Sequence, residues 1–304
     1  MFQTNRHSNL RFLQKIPRLY LAGLIIFIIW IIFSWLPKQI LINETRLLAV
    51  PWPSSLAFAG EALPLDNFYV REAWEVDFLI ALSQDYQNIL YLKRAPKFFP
   101  FIEKELKKRG LPDDLKFLAV AESGLIETST SSAGASGIWQ FMPATARQYG
   151  LQVGTEVDER RNFEKATLAA LDYLEFLHNK FDNWTLALAA YNTGENRIEQ
   201  KTIEQDVGNY YDLYLNKETS RYLFRIIAIK EIMKNAEKYG YKLKKRDYFS
   251  QPDFEVKIAG EIKDLAIWAQ QNKTNLRILK ALNPWLIGNS LPEGEWEIRA
   301  VNKL

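Results

Sequence analysis

The sequence has 304 residues, of which 48% are hydrophobic and 25% charged, and its net charge is +3. This length is enough for one well-packed domain and a small second one, and the weak charge without a basic and aromatic cluster gives no indication of nucleic-acid binding. The absence of cysteine excludes thiol catalysis, disulfides, cysteine-bound metals and a lipid-modified cysteine. Only His7 and His178 are present, and His178 lies in an amphipathic helical pattern typical of a structural residue. Any enzymatic chemistry is therefore expected to depend on carboxylates, with no metal and no cofactor.

Residues 19–36 form an uncharged apolar run of Ile, Leu, Phe and Trp type. At 1.5 Å per residue such a run spans roughly 27 Å, close to the thickness of a hydrocarbon core. The basic residues before it are Arg6, Arg11, Lys15 and Arg18. The positive-inside rule then predicts that residues 1–18 are cytoplasmic, that 19–36 are a transmembrane helix and that the rest is exported. The alternative is a cleaved signal peptide, but the nearest small-x-small site, residues 57–59, lies more than 20 residues beyond the run.

The exported part divides into segments of different patterning. Residues 37–71 contain four prolines before position 65 and weak periodicity, which predicts a linker or loosely attached lead-in. Residues 72–240 show helical periodicity with almost no strand-like alternation, so the main domain is predicted to be α-helical. Its expected helices lie at about 72–90, 97–109, 112–122, 143–149, 164–181, 185–192 and 219–238, and its longest loop at 123–139. Residues 241–253 are predicted to be a second linker.

The tail, residues 254–301, has another pattern. Residues 254–258 and 295–299 alternate as strands do, and two short helical stretches, 262–271 and 274–282, lie between them with a break near Asn272. A compact β-α-α-β module fits this order.

Glu122 is the first candidate for chemistry. At 100° per residue it shares one helix face with Leu115, Leu118 and Ala119, so its carboxyl group is expected on the apolar side. Burial disfavours the ionised form and raises the pKa, which suits a general acid working near neutral pH. A glutamate at a fraying helix end before Ser123-Gly124 is the alternative that position alone leaves open.

Two further segments carry residue types found in sugar-binding clefts. Residues 134–143, GASGIWQFMP, combine two glycines with an aromatic ring, an amide and a thioether, and Pro143 suits the first turn of a helix. No Gly-Lys-Ser/Thr follows, so a phosphate loop is excluded; a packed loop with a buried Trp139 remains the alternative. Residues 184–194, WTLALAAYNTG, predict a short helix of small residues that presents Tyr191 and Asn192 at its end, or an Ala-rich core helix.

Together these segments resemble the lytic transglycosylases of the soluble-lytic-transglycosylase (SLT) family over roughly residues 60–240. The family motifs Glu-Ser, Gly-x-x-Gly-x-x-Gln-x-Met-Pro and Ala-Tyr-Asn-x-Gly occur here in order and at the family spacing. Trp139, the turn Asp158-Glu159-Arg160 and the run Glu218-Thr219-x-x-Tyr222 are nearest to the membrane-bound D-type members. The resemblance implies a lysozyme-like helical fold. The tail resembles a LysM carbohydrate-binding module, with Ala259-Gly260-Glu261 in place of the usual Gly-Asp turn, which leaves its affinity for glycan open.

The resemblance implies site residues position by position. Glu122 matches the catalytic acid, and the implied substrate-binding residues are Ser123, Ser131, Gln140, Met142, Tyr191, Asn192 and Glu218. Among these, Tyr191 is expected to hydrogen-bond near the glycosidic oxygen or the acid. Many family members have Met where Trp139 stands, which implies a reshaped subsite beside it.

The implied activity is non-hydrolytic cleavage of the MurNAc-GlcNAc β-1,4 bond of peptidoglycan glycan strands, giving 1,6-anhydro ends with Glu122 as acid and base. The implied place is the inner membrane, crossed once by residues 19–36, with the catalytic domain in the periplasm or extracytoplasmic wall space. Two alternatives stay open at this point: a hydrolytic muramidase of the lysozyme kind on the same scaffold, and a non-catalytic peptidoglycan-binding scaffold protein.

Overall fold

The computed structural model describes residues 52–53, 55–250 and 252–301, with short pieces between 23 and 30. The chain divides into two compact units, Met1–Pro53 and Ser54–Leu304. The predicted cytoplasmic tail, transmembrane helix and first part of the lead-in lie largely outside the described residues. No helix within the described ranges combines the length and apolar character that a membrane crossing requires.

The second unit is mainly helical, as the sequence pattern predicts. Its elements in chain order are β1 (Ala57–Phe58), β2 (Glu61–Ala62), α1 (Phe68–Ser83), α2 (Asp85–Arg109), α3 (Lys116–Ser123), α4 (Pro143–Gln148), α5 (Phe163–Phe181), α6 (Trp184–Thr193), α7 (Glu195–Gln205), α8 (Lys217–Lys234), β3 (Phe254–Ala259), α9 (Leu265–Gln271), α10 (Leu276–Leu282) and β4 (Trp296–Val301). Short 3-10 turns at Asp113–Leu115, Glu159–Arg161, Tyr210–Asp212 and Lys245–Asp247 join some of them.

The core of the helical domain lies around α6 and α8. In α6 every residue from Trp184 to Ala190 is buried, and its alanines let neighbouring helices approach closely. In α8 the buried residues recur along most of the helix, from Thr219 to Ile232. Asp77 of α1 receives two hydrogen bonds from the Arg221 guanidinium of α8, at 2.6 and 3.1 Å, which fixes these two helices at the surface of the core. His178 stacks on Trp184 with ring centroids 4.1 Å apart, the structural role predicted for it.

The first predicted helix, at about 72–90, is divided between two helices in the structure. The chain leaves helical geometry at Gln84, because the Ser83 hydroxyl and the Asn88 amide donate to the carbonyl oxygens of Ile80 and Ala81. The following helix then begins at Asp85, earlier than the predicted 97, and continues through Pro96 and Pro100. Both prolines are exposed, whereas the opposite face buries apolar side chains that outweigh the two lost backbone bonds.

That helix ends at Gly110, where the sequence predicts a stop. Gly110 has a φ of 70°, and the amides of Gly110 and Leu111 donate to the carbonyls of Lys107 and Leu106. Helix α7 has no counterpart among the predicted elements. Only Ile198 is buried in it, so its sequence carries no apolar periodicity to detect.

The lead-in is more tightly packed than its prolines predict. Residues 55–63 form a hairpin, β1 and β2, in which Phe58 is fully buried. The Glu61 carboxylate accepts hydrogen bonds from the backbone amides of Trp184 and Thr185, at 2.6 and 3.3 Å, and so caps the first turn of α6. The Ala59 amide donates to Asp114 at 2.9 Å. This stretch is therefore part of the helical domain and not a loose linker.

The tail forms the predicted β-α-α-β module. Strands β3 and β4 pair antiparallel from Phe254↔Val301 to Ala259↔Trp296. One face of the pair covers a core that includes Leu265, Leu279 and Ile298. The predicted break near Asn272 is present. Helix α9 ends at Gln271, the Asn272 side-chain amide donates to the Trp268 carbonyl, and α10 begins at Leu276.

Candidate active site

Glu122 lies in the last turn of α3, on the apolar face that helical phase predicts. Leu115, Leu118 and Ala119 on that face are fully buried, while Glu122 itself keeps partial exposure. Helix α3 ends at Gly124, whose φ is 63° and whose amide donates to the Val120 carbonyl at 2.8 Å. The Gly124 carbonyl in turn accepts a bond from Arg94 at 2.9 Å. The end of the helix is thus held on both sides, which removes the fraying alternative.

The surroundings of Glu122 favour its neutral form. Burial raises the pKa of the carboxyl group to about 7, and the negative charge of Glu218 adds to this rise. The hydrogen bond from Tyr222 and the positive charge of Arg225 act in the opposite direction and limit it. A carboxyl group with this pKa holds a proton for a large part of the time near neutral pH and still releases it readily.

Tyr222 of α8 donates its hydroxyl hydrogen to Oε1 of Glu122. Its ring is fully buried, and burial together with the neighbouring carboxylate raises the pKa of the phenol far above its usual value, so it remains a donor. The guanidinium of Arg225 lies 5.4 Å from the centre of the Tyr222 ring. Glu218, Tyr222 and Arg225 are spaced i, i+4 and i+7, which places them on one face of α8.

This direct contact of the carboxyl group is one that sequence reasoning missed. Tyr222 belongs to the motif that singles out Glu218, but only the packing of α8 on α3 brings it to a residue 100 positions earlier. The i, i+4 spacing from Glu218 was the signal in the sequence that could have identified Tyr222. Glu218 itself is exposed, and with Lys217, Gln84 and Arg225 it lines an open groove of about 510 Å³.

Tyr191, at the end of α6, lies close enough to Glu122 for the carboxylate to raise the pKa of its phenol, after burial as the larger cause. Its hydroxyl group, however, donates to the Trp139 carbonyl at 2.7 Å and not to the acid. Asn192 accepts a hydrogen bond from the Thr219 hydroxyl at 3.1 Å, which joins the end of α6 to the start of α8. The structure thus brings Tyr191 and Asn192 to the corner where the sequence predicts them.

The loop of residues 129–141, here called the glycine loop, passes beside this corner. The Ser123 hydroxyl donates to the Ile138 carbonyl at 2.9 Å, so Ser123 fastens the loop to the end of α3. Ser131 is exposed, and its hydroxyl oxygen accepts from the Ala135 amide at 3.0 Å. The Gln140 side-chain amide donates to the Gly137 and Ser129 carbonyls, at 2.7 and 3.3 Å, and holds the turn closed. Met142, just after the loop, is 44% exposed.

The Trp139 side chain is buried and offers no surface of its own to an adjoining subsite. Its ring is fully buried, and its indole N–H donates to the Thr167 hydroxyl of α5 at 3.0 Å. Its neighbours Ile138 and Phe141 are buried as well, so this part of the loop packs into the core. The alternative that the sequence left open, a packed loop with a buried Trp139, is therefore confirmed.

Arg160 is a second residue whose role the sequence did not indicate. Its guanidinium forms a double hydrogen bond with Asp158, at 2.7 and 2.8 Å, and both side chains are buried. The remaining nitrogen donates to the carbonyl oxygens of Gly134 and Phe141, at 2.7 and 3.0 Å, and so closes the glycine loop. Gly137 rests directly on the Arg160 backbone, since a Cβ there would lie 1.7 Å from the Arg160 carbonyl oxygen. Within the described ranges no group of three His, Asp or Glu side chains is placed to hold a metal ion.

Comparisons with known proteins match both parts of the second unit. Residues 99–212 match the family described as Transglycosylase SLT domain, and residues 254–297 match the Soluble lytic transglycosylase C-terminal LysM-like domain. The chain carries an SLT transglycosylase domain. Glu122, the glycine loop and Tyr191 all lie within the matched residues of the SLT domain, and Glu218 and Tyr222 follow it.

The chain is 34% identical over 200 residues to Membrane-bound lytic murein transglycosylase D of Escherichia coli K12, covering 63% of this chain and 43% of that protein. It is 37% identical over 119 residues to Peptidoglycan transglycosylase gp16 of Escherichia phage T7, covering 38% of this chain and 9% of that protein. The chain therefore spans less than half the length of these relatives. Among solved structures, the 70 kDa soluble lytic transglycosylase of Escherichia coli aligns with 50% of this chain and 26% of its own, with a TM-score of 0.40 and 18% identity.

Proposed function

We propose that this protein is a peptidoglycan lytic transglycosylase that cleaves the MurNAc-GlcNAc β-1,4 bond, with Glu122 as its general acid and base. The observation that carries the proposal is the carboxyl group of the half-buried Glu122, whose pKa burial raises to about 7, within a matched SLT domain. A non-catalytic scaffold protein has no need for a desolvated carboxyl group with a tyrosine donor. The names of the relatives, lytic murein transglycosylase and peptidoglycan transglycosylase, support the same substrate.

In the first step the neutral Glu122 carboxyl group donates its proton to the oxygen that links the two sugars. The C1–O bond breaks with its electron pair on that oxygen, which leaves as the 4-hydroxyl group of GlcNAc. Tyr222 donates to Oε1 of Glu122 and thereby stabilises the carboxylate that this step creates. Proton transfer from a positioned acid contributes about 10²–10⁴-fold to the rate.

In the second step the Glu122 carboxylate takes the proton of the 6-hydroxyl group of the same MurNAc residue. That oxygen attacks C1 and closes a 1,6-anhydro ring, and the carboxyl group is neutral again. No water is consumed, so the reaction is not a hydrolysis. Ser131, Gln140, Met142, Asn192 and Glu218 would bind or position the strand around this bond.

Product analysis tests the proposal against the hydrolytic alternative. A hydrolase of the inverting kind needs a second carboxylate to activate water, and Glu218 is the carboxylate whose charge acts on Glu122. We expect wild-type protein and Glu218→Gln to release 1,6-anhydro muropeptides from purified sacculi, whatever the rate of the variant, as measured by mass spectrometry. The matched control is Glu199→Gln, an exposed glutamate on α7. Reducing-end products from the wild type, lost in Glu218→Gln alone, would show a hydrolase.

The second part of the proposal is the location: a single-pass anchor in the inner membrane through residues 19–36, with the SLT domain in the periplasm. The sequence of the run, the preceding basic residues and the name of the membrane-bound relative support it. The small-x-small site at 57–59 also lies within the packed hairpin, and cleavage after Ala59 would remove the buried Phe58. An uncleaved anchor keeps this hairpin intact.

Membrane fractionation checks the anchor. We expect the full chain to stay in the membrane pellet after alkaline carbonate washing, and a chain that begins at residue 52 to be soluble. Release of the full chain by carbonate, or a mature N-terminus at Gly60, would contradict the anchor.

A further inference from the structure

The LysM-like module meets the SLT domain at residues 152–161, here called the docking turn. Val157 is 4% exposed and packs into the core of the module with Trp285 and Leu286. Backbone pairing accompanies this contact: Val157 and Leu286 form an antiparallel bridge, and the Asp158 amide donates to the Trp285 carbonyl at 2.9 Å. An apolar contact reinforced by backbone bonds defines a fixed register between the two parts.

Glu156 completes this contact. Its backbone carbonyl accepts from the amides of Ile287 and Gly288, both at 3.0 Å, and its carboxylate accepts from the Ser290 amide at 3.2 Å. A Cβ at Gly288 would lie 1.7 Å from a carboxylate oxygen of Glu156 and 2.7 Å from its Cα. The module therefore approaches the docking turn as closely as backbone atoms allow.

The other side of the same turn holds the glycine loop. Asp158 orients the Arg160 guanidinium, which donates to the loop carbonyls of Gly134 and Phe141. The Arg161 guanidinium adds bonds to the hydroxyls of Ser136 and Thr130, both at 3.1 Å. Neighbouring residues of one turn thus bind the module and the loop.

The glycine loop in turn contacts the residues around the acid. Its Ile138 and Trp139 carbonyls accept the hydroxyl hydrogens of Ser123 and Tyr191. Ser123 follows Glu122 in the sequence, and Tyr191 lies near it in space. A contiguous series of contacts therefore runs from the module, through the docking turn and the loop, to the site. A change in the position of the turn would alter the loop carbonyls to which Ser123 and Tyr191 are bonded.

We propose that the docked LysM-like module stabilises the catalytic conformation of the glycine loop through the docking turn, so that Val157 and Arg160 are positioning residues for the reaction. The proposal rests on the proposed function for its effect on catalysis. It gives the module a task within this chain that does not require the module to bind glycan. The effect is expected on turnover, because misplacement of a site by about 1 Å costs up to 10²-fold in rate.

Val157→Ser tests the proposal, since it removes the apolar contact of the docking turn with the module core without changing any residue of the module or of the glycine loop. Val256→Ser is the matched control: the same change at a position of β3 that is 52% exposed. Hydrogen exchange should become about tenfold faster for the bonded loop amides of Ser131, Gly137 and Phe141 in Val157→Ser, and not in the control. On soluble glycan strands kcat should fall about tenfold with a smaller change in KM.

A second variant, Glu156→Ala, keeps Val157 and removes the carboxylate bond to the Ser290 amide, and should show the same loop effect in weaker form. The proposal would be overturned if exchange became faster only at residues 285–291 of the module, while exchange of the loop amides and kcat stayed at the values of the control Val256→Ser. The exchange measurement needs no activity, so it decides the coupling even if the wild type fails to cleave strands. Failure of the wild type to cleave would overturn the proposed function alone.

Discussion

Glu122→Gln should lower the rate of strand cleavage by about 10²–10⁴-fold. Glutamine has almost the same shape and can still accept the hydrogen bond from Tyr222, but it cannot donate a proton to the sugar oxygen. Release of soluble muropeptides from sacculi measures the rate, with Glu199→Gln on the surface of α7 as the matched control. Binding of the variant to sacculi should persist. Cleavage at the wild-type rate would show that another group supplies the proton.

The same substitution should stabilise the protein in alkaline solution. Burial raises the pKa of the folded-state carboxyl group from 4.5 to about 7, so the folded protein holds a proton that the unfolded chain releases between these values. The wild type therefore loses stability as pH rises through this window, whereas Glu122→Gln does not. We expect the difference in free energy of unfolding, variant minus wild type, to be about 1–3 kcal/mol larger at pH 8 than at pH 4.5. A constant difference across this range, measured by urea unfolding, would contradict a raised pKa.

Gly137→Ala should have the largest effect on stability. Its Cβ would lie 1.7 Å from the Arg160 carbonyl oxygen, a backbone atom that cannot move without displacing the turn, and its φ is 84°. We expect a loss of about 3 kcal/mol or more in the free energy of unfolding and a strong loss of cleavage. Gly134→Ala is the matched control, because Gly134 has a φ of 89° but no heavy atom within 4 Å of an added Cβ.

The control should lose only the backbone cost of a left-handed alanine, about 1–2 kcal/mol. The difference between the two variants in urea unfolding therefore measures the close approach of the glycine loop to Arg160. If Gly137→Ala and Gly134→Ala lost the same free energy of unfolding, the close approach of the loop to Arg160 would not contribute to stability.

The sequence predicts those features that depend on local periodicity. The phase of α3 placed Glu122 on the apolar face, the cations before Gly110 marked a helix end, and alternation in the tail predicted the strands β3 and β4. Each of these signals is contained within about ten residues. The resemblance of the three motifs to the SLT family, and not periodicity, implied that their segments form one site.

Features that arise from packing between distant segments were not readable. Tyr222 reaches Glu122 only because α8 packs on α3, and Trp139 is buried where the glycine loop packs on α5 and its indole N–H meets Thr167. The hairpin at 55–63 has two-residue strands, too short for a period of two to be visible. Helix α7 is polar on almost all sides, so it has no apolar stripe.

The Glu61 contact with α6 has a practical meaning for excising the SLT domain. A fragment that starts near residue 72, where helical patterning begins, would lack Phe58 and Glu61 together. It would open an apolar cavity in the core and leave the first amides of α6 without their carboxylate, at the far end of the helix that presents Tyr191. The shortest piece that retains its own core and helix cap begins by residue 55, well before the first sign of helix in the sequence.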